Sequence, residues 1–123
     1  MVVDTSLFIE HLRANDKSRT TLMALASLQT KYVSTATIYE LLCGATTPEK
    51  AADVDILLAD FIELAIDREV AAKAAGIYLN LRRRNQQIGP LGTLIAATAL
   101  VHKLPVKTLN AKHFERVDGL VIL

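Results

Sequence analysis

The chain opens Val2-Val3-Asp4-Thr5-Ser6-Leu7-Phe8-Ile9, which places two β-branched apolar residues, an acid, two hydroxyls and an apolar run in immediate succession. Val2 and Val3 read as a short buried strand, and Thr5-Ser6 can cap a helix that carries Leu7, Phe8, Ile9 and Leu12 on its apolar face. Asp4 therefore stands at the C-terminal end of a strand, where the chain turns into a helix.

The same alternation runs outward from this unit. Residues 18–29 predict a second helix through Leu22, Leu25, Ala26 and Leu28, and Tyr32-Val33-Ser34 a short strand. Thr35 or Thr37 then opens a helix with Ile38, Leu41 and Leu42 apolar, which Gly44 stops. Thr46-Thr47-Pro48 leads into a helix over 49–61 with Val54, Leu57, Leu58 and Phe61 on one face, followed by a strand over 62–66. Asp67 is a good N-cap for a long helix over 68–85, and Pro90 suits the first turn of another over 91–102. A strand over 105–108, a helical turn over 111–115 and a last strand over 120–123 complete the reading. Short strands alternating with helices imply an α/β fold in three α/β/α layers, with a parallel sheet of about five strands.

At 123 residues this is a single domain, 1–123, and its 51% hydrophobic and 22% charged composition supports a sizeable core. A net charge of +1 argues against a protein that wraps nucleic acid by bulk electrostatics, so any such contact must be local. Cys43 is the lone cysteine, which excludes an internal disulfide and a Cys-based zinc site and fits a reducing compartment, the cytoplasm. Met1 leads directly into Val2 and Val3 with no basic n-region, so no secretory signal is expected. The longest uncharged apolar run, 88–101, contains Gly89, Pro90 and Gly92 and falls short of the roughly 18 to 20 residues needed to cross a bilayer.

In an open α/β sheet the ligand crevice lies outside the C-terminal ends of the strands. That rule selects Asp4 after the first strand, Thr108 and Asn110 at the end of the fourth, and Glu40 one turn into the helix after the second. Asp4 could equally be a routine N-cap, and Glu40, flanked by apolar residues, could face solvent or a metal. His11, His102 and His113 show no i, i+4 pair, no catalytic triad is suggested, and P-loop and Gly-x-Gly-x-x-Gly fingerprints are missing. A receiver-like domain would want further acids beside Asp4, where Thr5-Ser6 supplies none. Arg82-Arg83-Arg84 is either a solvated helix end, where cations suit the dipole, or a rim that contacts phosphates near the crevice mouth.

Four blocks, taken together, resemble a known family. Val2-Val3-Asp4-Thr5-Ser6, the stretch from Thr37 to Gly44, the stretch from Ile88 to Ala99, and Thr108-Leu109-Asn110-Ala111-Lys112-His113-Phe114 look like the successive motifs of PIN-domain ribonucleases, and most of all of the VapC toxins of toxin–antitoxin pairs. The resemblance implies that Asp4, Glu40 and Asn110 occupy acid positions of a pocket that holds Mg²⁺ or Mn²⁺. It also implies that Thr5, Ser6, Thr37 and Thr108 are pocket hydroxyls, though each could equally be a cap or a strand-end residue, and that Phe114 is structural. It implies a metal-dependent endoribonuclease, a homodimer and a VapB-type antitoxin as partner. Leu7, Leu25 and Leu28 could supply the dimer surface.

The third acid departs from the pattern. Members of the family carry Asp ahead of the Leu-Ile-Ala-Ala helix, and here Gly92 stands in that place, 18 residues before Asn110. Carboxylates and waters hold such a cation in octahedral oxygen coordination, and the bound cation activates water. Two carboxylates and a neutral amide supply less charge than three carboxylates, so the expectation is weaker metal binding and impaired cleavage. The alternative is a catalytically silent module that binds antitoxin or RNA. Folding does not account for the glycine, because the first turn of a helix favours Asp by its dipole and penalises Gly by up to about 1 kcal/mol.

Overall fold

The computed structural model describes residues 1–25, 27 and 29–123. Ten elements follow one another as β1 (Val2–Val3), α1 (Thr5–Arg13), β2 (Tyr32–Ser34), α2 (Thr35–Gly44), α3 (Pro48–Leu58), β3 (Ile62–Leu64), α4 (Arg68–Arg83), α5 (Pro90–Val101), β4 (Val106–Lys107) and α6 (Ala111–Phe114). The strands form one parallel sheet in the order β3-β2-β1-β4. Val2 pairs with Tyr32 on one side and with Val106 on the other, so β1 is central and β4 is its neighbour.

Successive residues of a strand point to opposite faces, and β1 shows what that does here. Val2 packs with Val70, Ala74, Ile95 and Val106, in the layer built by α4 and α5. Val3 packs with Leu7, Phe8, Val33, Leu41 and Val54, in the layer built by α1, α2 and α3. Both valines are fully buried, so the three-layer α/β/α architecture follows from two adjacent apolar residues in one short strand. No helix among the described residues is long and apolar enough to cross a membrane.

Three expectations need correction. The strand predicted over 120–123 reduces to a single parallel bridge between Val106 and Ile122, so the sheet has four strands among the described residues. Its neighbour β4 is only two residues long, and Pro105, just before it, has no N–H to offer a ladder.

The helix predicted over 18–29 is instead a single 3₁₀ turn, Lys17–Arg19, followed by turns; Ala26 and Leu28 lie outside the described residues. Side chains divert the backbone here. The N–H of Thr21, which would bond Lys17 in a helix, donates to Glu10 Oε1, and the N–H of Met23 donates to Thr20 Oγ1.

Leu7 is fully buried in the core and offers no dimer surface, while Leu25 is half-buried.

This turn also creates a pH-sensitive contact. His11 is 8% exposed, and its Nδ1 lies 2.8 Å from Thr20 Oγ1. Burial, helped by the Lys17 ammonium and opposed by Glu10, lowers its pKa below the ordinary value. The unfolded chain therefore takes up a proton near pH 6.5, while the folded chain resists it until a lower pH. This contribution to stability is complete above that pH and is lost as the pH falls toward the folded-state value. The thermal midpoint is expected to fall between pH 7.5 and pH 5.5, and less so in His11→Gln; identical slopes in the two proteins would contradict the assignment.

Candidate active site

The β1–α1 turn supplies the first acid. Asp4 is the N-cap of α1, with an extended backbone and a side chain that accepts from Ser6 N. It is 5% exposed, and its Oδ2 also accepts from Ser6 Oγ at 2.7 Å and from Thr108 Oγ1 at 2.8 Å. The side chain thus both caps the helix and braces β1 against the end of β4. The two readings of Asp4 left open by the sequence are not exclusive.

Glu40 reaches the same place from α2. Its Oε1 accepts from Thr5 Oγ1 at 2.8 Å, and Thr5 Oγ1 lies 3.0 Å from Thr37 Oγ1. Glu40 is half-buried, at the rim between solvent and interior. Among the described residues, Asp4 Oδ1 and Glu40 Oε2 have no protein donor. Each acid is therefore held by one oxygen and presents the other.

A cleft of about 390 Å³ lies beyond the strand ends, and Asp4, Thr5, Ser6, Glu40, Gly92 and Asn110 line it. Ile9, Ile88, Ile95 and Phe114 form its apolar wall. Pairing of β1 with β4 is what brings Asp4 and Asn110 together. Thr37 and Thr108 are buried behind the carboxylates and do not line the cleft. His113, one turn beyond Asn110, does line it; the i, i+3 spacing of the two on α6 was the available signal.

Gly92 occupies the third position of α5, after Pro90 and Leu91. A Cβ built there meets only Ile88 Cδ1, at 3.8 Å, an ordinary contact. A Cβ is therefore accommodated, and packing around it does not demand the glycine. Arg82, Arg83 and Arg84 do not line the cleft. Arg84 instead donates to Asn80 Oδ1, Gln86 Oε1 and the Arg116 carbonyl, and it lies 3.5 Å from Asp118. Arg82 and Arg83 are exposed.

No group of three or more His, Cys, Asp or Glu side chains suited to a metal ion occurs among the described residues. The donors that do converge are hard oxygens from two carboxylates and one amide. Mg²⁺ often takes only one or two carboxylates and fills its octahedron with water, so the residues fit such a cation with one ligand fewer than the family pattern.

A four-stranded parallel sheet between helical layers, with acids converging beyond the strand ends, defines the PIN class of α/β domain, and the PIN domain family matches residues 1–120. The chain is 32% identical to ribonuclease VapC10 of Mycobacterium tuberculosis, over 98% of this chain and 90% of that protein. It is 30% identical to ribonuclease VapC1 of Methanocaldococcus jannaschii, over 95% of this chain and 80% of that one. The chain thus belongs to the VapC group of the PIN domain family. The crystal structure of DNA-bound VapBC from Salmonella typhimurium superposes with a TM-score of 0.86 at 25% identity, covering 99% of this chain and 95% of that one. FitAcB from Neisseria gonorrhoeae gives 0.80 at 28% identity, covering 99% and 96%.

Proposed function

We propose that the protein is a VapC-type toxin, a divalent-metal-dependent endoribonuclease neutralised by a VapB-type antitoxin, and that cleavage is impaired in this chain because Gly92 replaces a metal-binding Asp. The observation that carries the proposal is the pair of braced carboxylates, Asp4 from β1–α1 and Glu40 from α2, facing one cleft with an oxygen each to spare. The relatives named as ribonucleases and the structure named as a VapBC assembly support it. A homodimer and an RNA substrate belong to the same proposal.

Asp4 and Glu40 would hold Mg²⁺ or Mn²⁺, with the Asn110 amide oxygen as a neutral third donor. The cation would supply an activated water and offset the charge that builds on a phosphate. The chain's own part is to fix the two carboxylates before the substrate arrives, which the four hydroxyls do.

The test is RNA cleavage by the purified chain with Mg²⁺ or Mn²⁺ and with EDTA. A slow cleavage that EDTA and Asp4→Ala both abolish is expected. Cleavage indifferent to EDTA or to Asp4→Ala would contradict the proposal. The missing third acid also favours a second reading, a silent module that binds antitoxin or RNA, and no cleavage even in Gly92→Asp would select it.

A further inference from the structure

Ser6 and Thr108 have bonds that the proposed chemistry leaves unused. Each hydroxyl has one proton and two lone pairs. The carboxylate of Asp4 can only accept, so Ser6 Oγ at 2.7 Å and Thr108 Oγ1 at 2.8 Å must both donate to Oδ2. Their lone pairs then face the turn after β4. The N–H of Leu109 donates to Ser6 Oγ at 3.0 Å, and the N–H of Asn110 donates to Thr108 Oγ1 at 2.9 Å. Proton direction in both chains is thus set by chemistry at their ends, a backbone N–H at one and a carboxylate at the other.

Backbone bonds hold the ends of that turn, Asp4 N to Lys107 O at 2.9 Å and His113 N to Asn110 O at 3.0 Å, but the N–H groups of Leu109 and Asn110 rest on the two hydroxyls. Leu109 is 48% exposed, Asn110 is exposed, and the Asn110 side chain makes no capping bond to α6. We infer that Ser6 and Thr108 are positioning residues that set Asn110 from Asp4, so that Asp4 and Asn110 act as one coupled unit in the cleft. Resting on the metal-site reading above, this gives Thr108 a role through Asn110 rather than through a metal-bound water, from which its burial behind Asp4 separates it. Hydrogen bonds in series polarise one another, so each relay is stronger than its links taken singly.

The test uses the full chain and two readouts. The first needs no metal: amide hydrogen exchange at Leu109 and Asn110 by NMR. Thr108→Val is expected to speed exchange at Asn110 about tenfold, the scale of one lost hydrogen bond, with β2 and α4 amides unchanged, and Thr108→Ser to restore the parent rate. Unchanged exchange in Thr108→Val, or general acceleration across the sheet, would overturn the inference. The second readout is a double-mutant cycle on Mn²⁺ affinity with Asn110→Ala. Thr108→Val should weaken binding more in the parent than in Asn110→Ala, where only its bond to Asp4 is left to lose. Independent, multiplicative effects would overturn the coupling. If Mn²⁺ does not bind the parent at all, the metal reading fails while the exchange experiment still decides the relay.

Discussion

Gly92→Asp is expected to tighten Mn²⁺ binding at least about tenfold and to raise metal-dependent RNA cleavage by about 10²- to 10³-fold, the range seen when one preorganised electrostatic contact is removed from an active site. The backbone already accepts the change. A Cβ at position 92 touches only Ile88 Cδ1, at 3.8 Å, and the position is the third of α5, where an acid meets the positive pole of the helix. The N-cap of α5 is Gly89, which has no side chain to cap the helix, so the first turn gains from an acid. Against this stands repulsion from Asp4 and Glu40, which line the same cleft. Bound cation relieves that repulsion, so added Mn²⁺ should raise the thermal midpoint of Gly92→Asp more than that of the parent, as mass action on the folded state requires. Equal Mn²⁺-induced shifts in the two proteins would mean that position 92 is not a ligand place.

Phe8→Ala is the largest expected loss of stability. Phe8 is fully buried, and its ring stands 5.0 Å from that of Phe61 at a tilt of 52°. Removing a buried phenyl group costs about 3–5 kcal/mol, and the aromatic pair adds about 0.5–1.5 kcal/mol. A domain of this size has about 5–15 kcal/mol in total, so the variant is expected to lose a large share of its stability in urea unfolding. The consequence reaches the cleft, because Phe8 anchors α1, whose N-terminus carries Asp4, Thr5 and Ser6. A loss below about 1 kcal/mol would show that the α1 side of the core repacks around the cavity, against the close packing assumed.

Much of this arrangement was legible in the sequence. Val2-Val3 before an acid sufficed for the central strand and the position of Asp4, because two apolar residues in succession in so short a strand must serve two core layers. The N-cap at Asp67 and the Pro at the start of α5 fall where local capping chemistry places them. Illegible features depended on distant partners. The turn after Lys17 forms because Glu10 and Thr20 take the N–H groups a helix would use, and no periodicity reports that competition. The final strand reduces to one bridge because its partner β4 is only two residues long and Val106 alone pairs with it. The long helix α4 stops at Arg83 because Asn85 adopts a left-handed backbone, φ 52°, and Gln86 N closes onto Leu81 O at 2.9 Å.

In the cleft, the sequence pointed to Asp4, Glu40, Gly92 and Asn110 as a set, and the geometry brings them to one lining. Which way each hydroxyl faces could not be read beforehand. Thr5, Ser6 and Thr108 bond the carboxylates directly, an arrangement that needs β4 beside β1 and α2 beside α1. Arg84 lay in a basic cluster that suited phosphate, yet its guanidinium bridges three neighbouring groups and Asp118 on the surface.

In the proposed function this cleft is a metal-dependent nuclease site short of one carboxylate. RNA cleavage measured side by side for the parent, Gly92→Asp and Gly92→Asn at matched Mn²⁺ tests it most directly, since Asp and Asn share shape and differ in charge. Strong, EDTA-sensitive cleavage is expected from Gly92→Asp alone. Equal rates for all three proteins, or equal gains from Asp and Asn, would contradict it.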